Sequence, residues 1–72
     1  MSEQEFVAKM QDEVFYTEAD ITMDMQLADI EEWDSLGFVS FIAIAKEAGF
    51  NNVTRDAINQ AQTVGDLYSL VK

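Results

Sequence analysis

The fold prediction depends most on residues 34–50, which read DSLGFVSFIAIAKEAGF. Asp34 is suited to cap a helix, because its carboxylate can accept hydrogen bonds from first-turn amides and favours the positive end of the helix dipole. Residues 36–45 are apolar on nearly every helical face. Gly49 is a natural residue to end the helix, and Phe50 can pack back on its last turn. Such a helix lies at the centre of a bundle or presents a face to a partner.

Capping patterns predict three further helices. Ser2 and Glu5 have capping-box spacing and open a first helix that runs to about Tyr16. Thr54 caps a short third helix that runs to about Ala61. A second capping-box pattern begins at Thr63 and opens a fourth helix, whose apolar residues recur at helical spacing: Val64, Leu67, Tyr68 and Val71.

The segment 17–34 is long for a connection in so small a domain, but it is not a plain polar linker. It contains scattered apolar residues, namely Ile21, Met23, Met25, Leu27, Ile30 and Trp33. We predict a structured loop pinned to the core, with a short helical turn near 28–31. Residues 1–72 are therefore predicted to be one all-α domain: a four-helix bundle with a long loop between helices 1 and 2 and a short third helix.

The net charge of −10 is unevenly distributed. Residues 1–34 contain eleven acids and one base, whereas residues 35–72 contain three of each. This charge disfavours nucleic acid and anionic lipid and favours basic partners, or it simply keeps a small protein soluble and monomeric. The N-terminus does not resemble a signal peptide, and no apolar run approaches membrane-spanning length, so a cytoplasmic location is the default expectation.

The composition argues against a self-contained enzyme. Histidine and cysteine are absent, which removes the commonest general base and the best nucleophile. Acids are dense between Asp20 and Glu32, but they lack the spacing and the glycine of a calcium-binding loop. We therefore predict no catalytic residues and no metal site.

Ser35 is the residue whose position suggests chemistry. A serine at the start of a helix exposes its hydroxyl where a phosphate is stabilised by the helix dipole and by free amides. The alternative is that Asp34 and Ser35 are only capping residues, since both types favour helix starts.

The surrounding residues resemble the acyl and peptidyl carrier protein family. Asp34-Ser35-Leu36 is similar to the D-S-L motif of that family. The preceding segment from Leu27 to Trp33 is similar to the leucine and acidic turn before that motif, and Thr63-Val64-Gly65-Asp66-Leu67 matches the T-V-x-D-L that opens the last helix. The resemblance covers essentially the whole chain.

This resemblance implies a function and a set of partners. A phosphopantetheinyl transferase would attach 4'-phosphopantetheine to Ser35, and the thiol of that arm would hold acyl or aminoacyl groups as thioesters. A loading enzyme and a downstream synthase or transferase would be the other partners. Among the partner-recognition residues, Asp34 would help to present Ser35 and assist metal binding in the transferase complex, and Leu36 would contact that enzyme. Gly37, Ser40 and Glu47 would lie at the positions through which the family recognises its partners.

Several residues depart from fatty-acid carriers, whose second helix is rich in acids. Gly37, Ser40 and Lys46 stand at the matching positions, and only Glu47 keeps a charge of that sign. We expect a dedicated pathway rather than mainstream fatty-acid biosynthesis; fatty acyl, polyketide and nonribosomal peptide cargo remain open.

The alternative is a carrier-fold interaction module that lacks the arm and binds partners through its acidic loop. A stripe of second-helix residues is expected in the core, the alternative being that it lines a pocket for an acyl chain: Val39, Ile42, Ala43 and Ala45.

Overall fold

The computed structural model describes residues 1–72 and contains four α-helices and no strand. The helices are α1 (Glu3–Lys9), α2 (Ser35–Glu47), α3 (Arg55–Gln60) and α4 (Val64–Ser69). A π-helical turn (Met10–Val14) continues α1, and a 3-10 turn (Leu27–Asp29) interrupts the long loop before α2. The all-α prediction is confirmed, as are the long loop after the first helix and the shortness of the third.

None of these helices combines the length and apolar character that crossing a bilayer requires. The longest, α2, has 13 residues.

Side-chain caps open all four helices at the predicted residues. The Asp34 carboxylate accepts a hydrogen bond from the Gly37 amide at 3.1 Å, and the Thr54 hydroxyl accepts one from the Ala57 amide at 3.2 Å. At α1 only half of the predicted capping box forms. The Ser2 hydroxyl accepts from the Glu5 amide at 3.1 Å, but it also donates to the Glu5 carboxylate, which therefore does not reach back to the Ser2 amide.

The capping box of α4 is complete. The Thr63 hydroxyl accepts from the Asp66 amide at 3.2 Å, while the Asp66 carboxylate accepts from the amides of Gln62 and Thr63 at 2.9 and 3.1 Å. The amide of Gln62, followed by that of Thr63, holds the pKa of the Asp66 carboxyl below its ordinary value, because these hydrogen bonds stabilise the charged form.

The C-terminus of α2 ends as predicted at Gly49. This residue has a φ of 94°, in the left-handed region that glycine adopts without strain. The Gly49 amide donates to the Lys46 carbonyl at 3.1 Å, and the Phe50 amide donates to the Ala45 carbonyl at 2.8 Å. These two bonds form a Schellman motif and satisfy carbonyls that the helix end leaves free.

One hydrophobic core joins all four helices and the loop. Phe6 of α1 packs against Phe41 of α2 with ring centroids 6.4 Å apart, and against Tyr68 near the end of α4 at 5.2 Å. Thirteen apolar residues are buried: Phe6, Met10, Val14, Phe15, Leu27, Phe41, Ile44, Ala45, Val53, Ile58, Val64, Leu67 and Val71. The presence of Leu27 in this set confirms that the loop is pinned to the core.

The end of the first helix differs from a regular α-helix. The Phe15 amide donates to the Met10 carbonyl at 2.7 Å, a five-residue spacing that widens the last turn. Tyr16 follows with a φ of 51°, which ends the helix, and its side chain is 77% exposed. The wider turn lets the adjacent residues Val14 and Phe15 both enter the core.

The predicted core stripe of α2 is wrong for two of its four residues. Val39 and Ala43 are exposed, Ile42 is half-buried, and only Ala45 is buried. The face of α2 that lies against the core instead carries Gly37, Phe41, Ile44 and Ala45. The large ring of Phe41 selects this face, and the remaining apolar residues of α2 are left at the surface.

Candidate functional site around Ser35

Ser35 is the first residue of α2 and is exposed. Its hydroxyl makes no hydrogen bond within the chain, whereas the neighbouring Asp34 carboxylate is occupied by the Gly37 amide. Capping is therefore done by Asp34, and the Ser35 oxygen is free to react or to bind. The 13 residues of α2 place the positive end of a helix dipole at this oxygen.

Trp33 packs against the first turn of α2, where Ser35 lies. Its ring lies 6.0 Å from Phe15, edge to face, and 5.0 Å from Phe38 in a tilted stack. A Cβ on Gly37 would lie 3.1 Å from Cε3 of Trp33, so the indole rests directly on the α2 backbone. The loop is thus joined to α2 by aromatic packing immediately before the serine.

This packing gives Gly37 a different role from the predicted one. The sequence places Gly37 among the partner-recognition residues, but in the structure it is buried beneath Trp33 and faces Val14. A buried glycine offers no contact surface to a partner, so Gly37 serves the packing of α2 instead.

The other predicted recognition residues lie along α2 at different distances from Ser35. Leu36 is beside the serine and 74% exposed. Ser40 is half-buried, and Glu47 is exposed at the far end, about 18 Å along the helix from Ser35 at 1.5 Å per residue. Asp34, Ser35 and Leu36 form one group, and Glu47 does not belong to it.

An apolar strip continues from Leu36 along the exposed side of α2. Val39 is 56% exposed and Ala43 is exposed, so these residues fall at positions i, i+3 and i+7 of one helical face. Large exposed aliphatic side chains next to a free hydroxyl form a surface that a partner protein can cover.

A groove adjoins Ser35 on the side of α3. Its volume is about 230 Å³, and its walls are Ser35 and Phe38 of α2 with Arg55 and Asn59 of α3. Arg55 and Asn59 were not among the site residues predicted from the sequence. Their four-residue spacing, which places them on one face of α3, was the available signal.

The acidic loop is fixed by backbone hydrogen bonds to the start of α4. The Val64 amide donates to the Met25 carbonyl at 3.0 Å, and the Leu27 amide donates to the Gln62 carbonyl at 2.9 Å. The Gly65 amide donates to the Met23 carbonyl at 2.7 Å. These bonds hold the loop in place while its acidic side chains remain exposed.

The acids do not gather into a metal-binding arrangement. No group of three or more carboxylate, histidine or cysteine side chains has a geometry that could hold a metal ion.

Comparison of the chain with protein-family models, with curated protein sequences and with solved structures gives no significant match.

Proposed function

We propose that this chain is a discrete carrier protein of the acyl carrier type, with a 4'-phosphopantetheine arm on Ser35. The observation that carries the proposal is the exposed Ser35 hydroxyl, free of hydrogen bonds at the first residue of a 13-residue helix. The order of the helices, the long loop before α2 and the D-S-L motif agree with this assignment.

The residues around Ser35 suit an attached phosphate group. The α2 dipole favours negative charge at this end of the helix. The Arg55 side chain lines the adjoining groove and supplies a cation in a chain that is otherwise strongly acidic. No wall of the groove carries a carboxylate that would repel a phosphate.

The attachment reaction requires no general base from the chain itself. The Ser35 oxygen forms a bond to phosphorus, the pyrophosphate bond of coenzyme A breaks with release of adenosine 3',5'-bisphosphate, and the hydroxyl proton passes to a base of the transferase. The absence of histidine in the chain is compatible with this division, because the partner enzyme supplies the base. When bound, the arm supplies a terminal thiol that holds an acyl or aminoacyl group as a thioester.

The exposed surface of α2 supports a dedicated pathway with its own partners. The strip of Leu36, Val39 and Ala43 is apolar, and Lys46 and Glu47 contribute opposite charges at the far end of the helix. A partner protein that binds this helix would contact apolar side chains and not a row of acidic ones. Standard enzymes of fatty-acid synthesis are therefore expected to use the loaded protein poorly compared with their usual carrier.

The proposal is tested by incubating the purified chain with coenzyme A, magnesium and a promiscuous phosphopantetheinyl transferase. Intact-protein mass spectrometry should show the addition of one arm. The Ser35→Ala variant should gain nothing, whereas Ser40→Ala, which removes the other hydroxyl of α2, should still gain one arm.

Two outcomes oppose the proposal. In the first, the wild-type protein stays unmodified while a known carrier is converted, which would show that the chain takes no arm. Partner binding retained in Ser35→Ala would then favour the interaction-module alternative. Modification that persists in Ser35→Ala would place the attachment elsewhere.

A further inference from the structure

The groove beside Ser35 combines a reactive hydroxyl with donor groups from another helix. Arg55 and Asn59 are four residues apart on α3 and face the groove from one side, while Ser35 and Phe38 face it from α2. Three of the four walls are polar, so the groove is suited to polar atoms more than to an aliphatic chain. Phe38 is its one apolar wall.

Arg55 has no partner within the chain. The only ion pair joins Lys9 to Glu13 at 3.3 Å, and the Arg55 guanidinium makes neither an ion pair nor a hydrogen bond. The chain has 14 acids and only four bases, yet none of those acids pairs with this cation. Folding leaves the five donors of the guanidinium available to a ligand.

The position of Arg55 on α3 does not stabilise its positive charge either. Arg55 is the first residue of that helix, where the dipole disfavours a positive charge. Neither an ion pair nor the helix dipole therefore stabilises the guanidinium here. An anion in the groove would supply the missing ion pair to Arg55 and would itself be stabilised at the positive end of α2.

We propose that Arg55 and Asn59 bind the phosphodiester of the group carried on Ser35 and thereby hold the first part of the arm in the groove between α2 and α3. This inference rests on the proposed function. The guanidinium can donate two parallel hydrogen bonds to the two non-bridging phosphate oxygens, and the Asn59 amide can donate a third. The segment that follows the phosphate then passes over Phe38.

The arm, rather than an acidic partner protein, is the favoured occupant. A phosphate attached to Ser35 is held at a wall of the same groove, so its effective concentration at Arg55 greatly exceeds that of any free anion. A partner carboxylate would instead have to enter a groove that the arm already borders.

The test compares the ³¹P resonance of the fully modified protein in four forms. The wild-type signal should be displaced from that of free phosphopantetheine, and Arg55→Gln should lose most of that displacement. Arg55→Lys should keep part of it, because an ammonium attracts the phosphate without the bidentate geometry. Lys46→Gln is the matched control, since it removes one positive charge from the opposite end of α2 and should leave the signal unchanged.

Thermal unfolding gives a second readout. The wild-type melting temperature should rise when the arm is attached, and this rise should be absent in Arg55→Gln. Arg55 is exposed, so the unmodified variant is expected to fold normally, which circular dichroism verifies.

The outcomes separate this inference from the function on which it rests. Complete modification with the same ³¹P signal in wild type and Arg55→Gln overturns the inference alone. Slower modification of Arg55→Gln with an unchanged signal also overturns it and assigns Arg55 to the transferase interface. Wild-type protein that gains no mass in the transferase assay removes the proposed function, and this inference with it.

Discussion

The indole of Trp33 packs between Phe15 and Phe38 and covers the backbone of Gly37. Trp33 is two residues before Ser35, so these contacts determine where the loop ends and where α2 begins. The orientation of the serine thus depends on aromatic packing beneath the helix as well as on the Asp34 cap.

Replacing Trp33 by alanine is expected to lower the free energy of unfolding by about 2 kcal/mol, below the usual loss for a fully buried ring because Trp33 is half-buried. It should also slow the modification of Ser35. Urea unfolding followed by circular dichroism measures the first effect, and timed intact-mass spectra measure the second. Trp33→Phe should recover most of both, and Tyr16→Asn, which removes an exposed ring at a left-handed position that asparagine adopts readily, should lower neither. Unaltered stability in Trp33→Ala would contradict the role given to this side chain.

Leu36 is expected to act on partners and not on folding. Because its side chain is 74% exposed, Leu36→Ala should change the free energy of unfolding by less than about 0.5 kcal/mol. The kcat/KM of the transferase should fall roughly tenfold, since covering this side chain in the complex is worth about 1.4 kcal/mol. Glu47→Gln, at the far end of α2, is the control that should keep the wild-type rate. An unchanged rate for Leu36→Ala would exclude it from the contact surface.

The loop before α2 and the start of α4 behave as one element, although they are far apart in the sequence. Three backbone hydrogen bonds join the two segments. A Cβ on Gly65 would lie 2.9 Å from the Met23 carbonyl oxygen, which is closer than such atoms approach in folded proteins. The absence of a side chain at Gly65 is therefore what permits the loop to reach the helix.

Gly65→Ala should destabilise the chain, because the atom that obstructs the new methyl group belongs to the backbone and cannot rotate away. We expect a loss of about 1–2 kcal/mol, after the gain in helix propensity is subtracted from the cost of overpacking. Hydrogen exchange at the Val64 and Leu27 amides should accelerate. Gly49→Ala is the comparison: it is strained by its φ of 94° but meets no atom within 4 Å, so it should destabilise without loosening the loop selectively. Normal exchange in Gly65→Ala would contradict this account.

The Asp66 carboxylate makes the start of α4 sensitive to pH. The Gln62 and Thr63 amides lower the pKa of this carboxyl in the folded state, so its contribution to stability is present above the unfolded-state pKa and is lost as the pH falls through the lower folded-state value. Asp66→Asn should therefore be less stable than wild type near pH 7, and the difference should shrink below about pH 4. Thermal unfolding between about pH 7 and about pH 2.5 measures it. Ser69→Ala is the control: it removes the hydrogen bond from the Ser69 hydroxyl to the Gly65 carbonyl in the same helix but no ionisable group, so its difference from wild type should not converge in this way.

Local patterns predicted the helix ends well because each cap depends on residues a few positions apart. The caps at Asp34, Thr54 and Thr63 are confirmed, as is the role of Gly49. The π-helical turn was not predicted, because it follows from two adjacent residues entering one core. The contact of the loop with Gly65 was also missed, since backbone hydrogen bonds between distant segments carry no side-chain signal.

Charge is the property of the whole molecule that opposes the packing of its small core. Eleven of the 14 acids belong to residues 1–34, and the acids of the loop are exposed. Mutual repulsion among them disfavours the compact state. The sequence predicted this asymmetry and the all-α fold, but it could not predict that Arg55 and Ser35 line one groove, because that placement depends on how separate helices pack.

Added salt should therefore stabilise the chain at neutral pH. Raising the NaCl concentration from about 0.02 M to about 0.5 M shortens the screening length from roughly 20 Å to roughly 4 Å, which weakens the repulsion between exposed carboxylates. The melting temperature should rise by several degrees. Replacing Glu31 and Glu32 by glutamine should raise it at low salt and reduce its dependence on salt. A melting temperature that falls with NaCl would show that attractive charge pairs dominate instead.

Because Trp33 stacks on Phe38, the intrinsic tryptophan fluorescence of the protein should report on the groove beside Ser35. Phe38 is a wall of the groove beside Ser35, and Trp33 is the one tryptophan of the chain. A group that settles in the groove displaces water from one side of that stack and alters the polarity around the indole. If Ser35 carries the proposed arm, fluorescence emission from unlabelled protein can therefore follow, in real time, whether the attached group lies against the surface or extends into solvent.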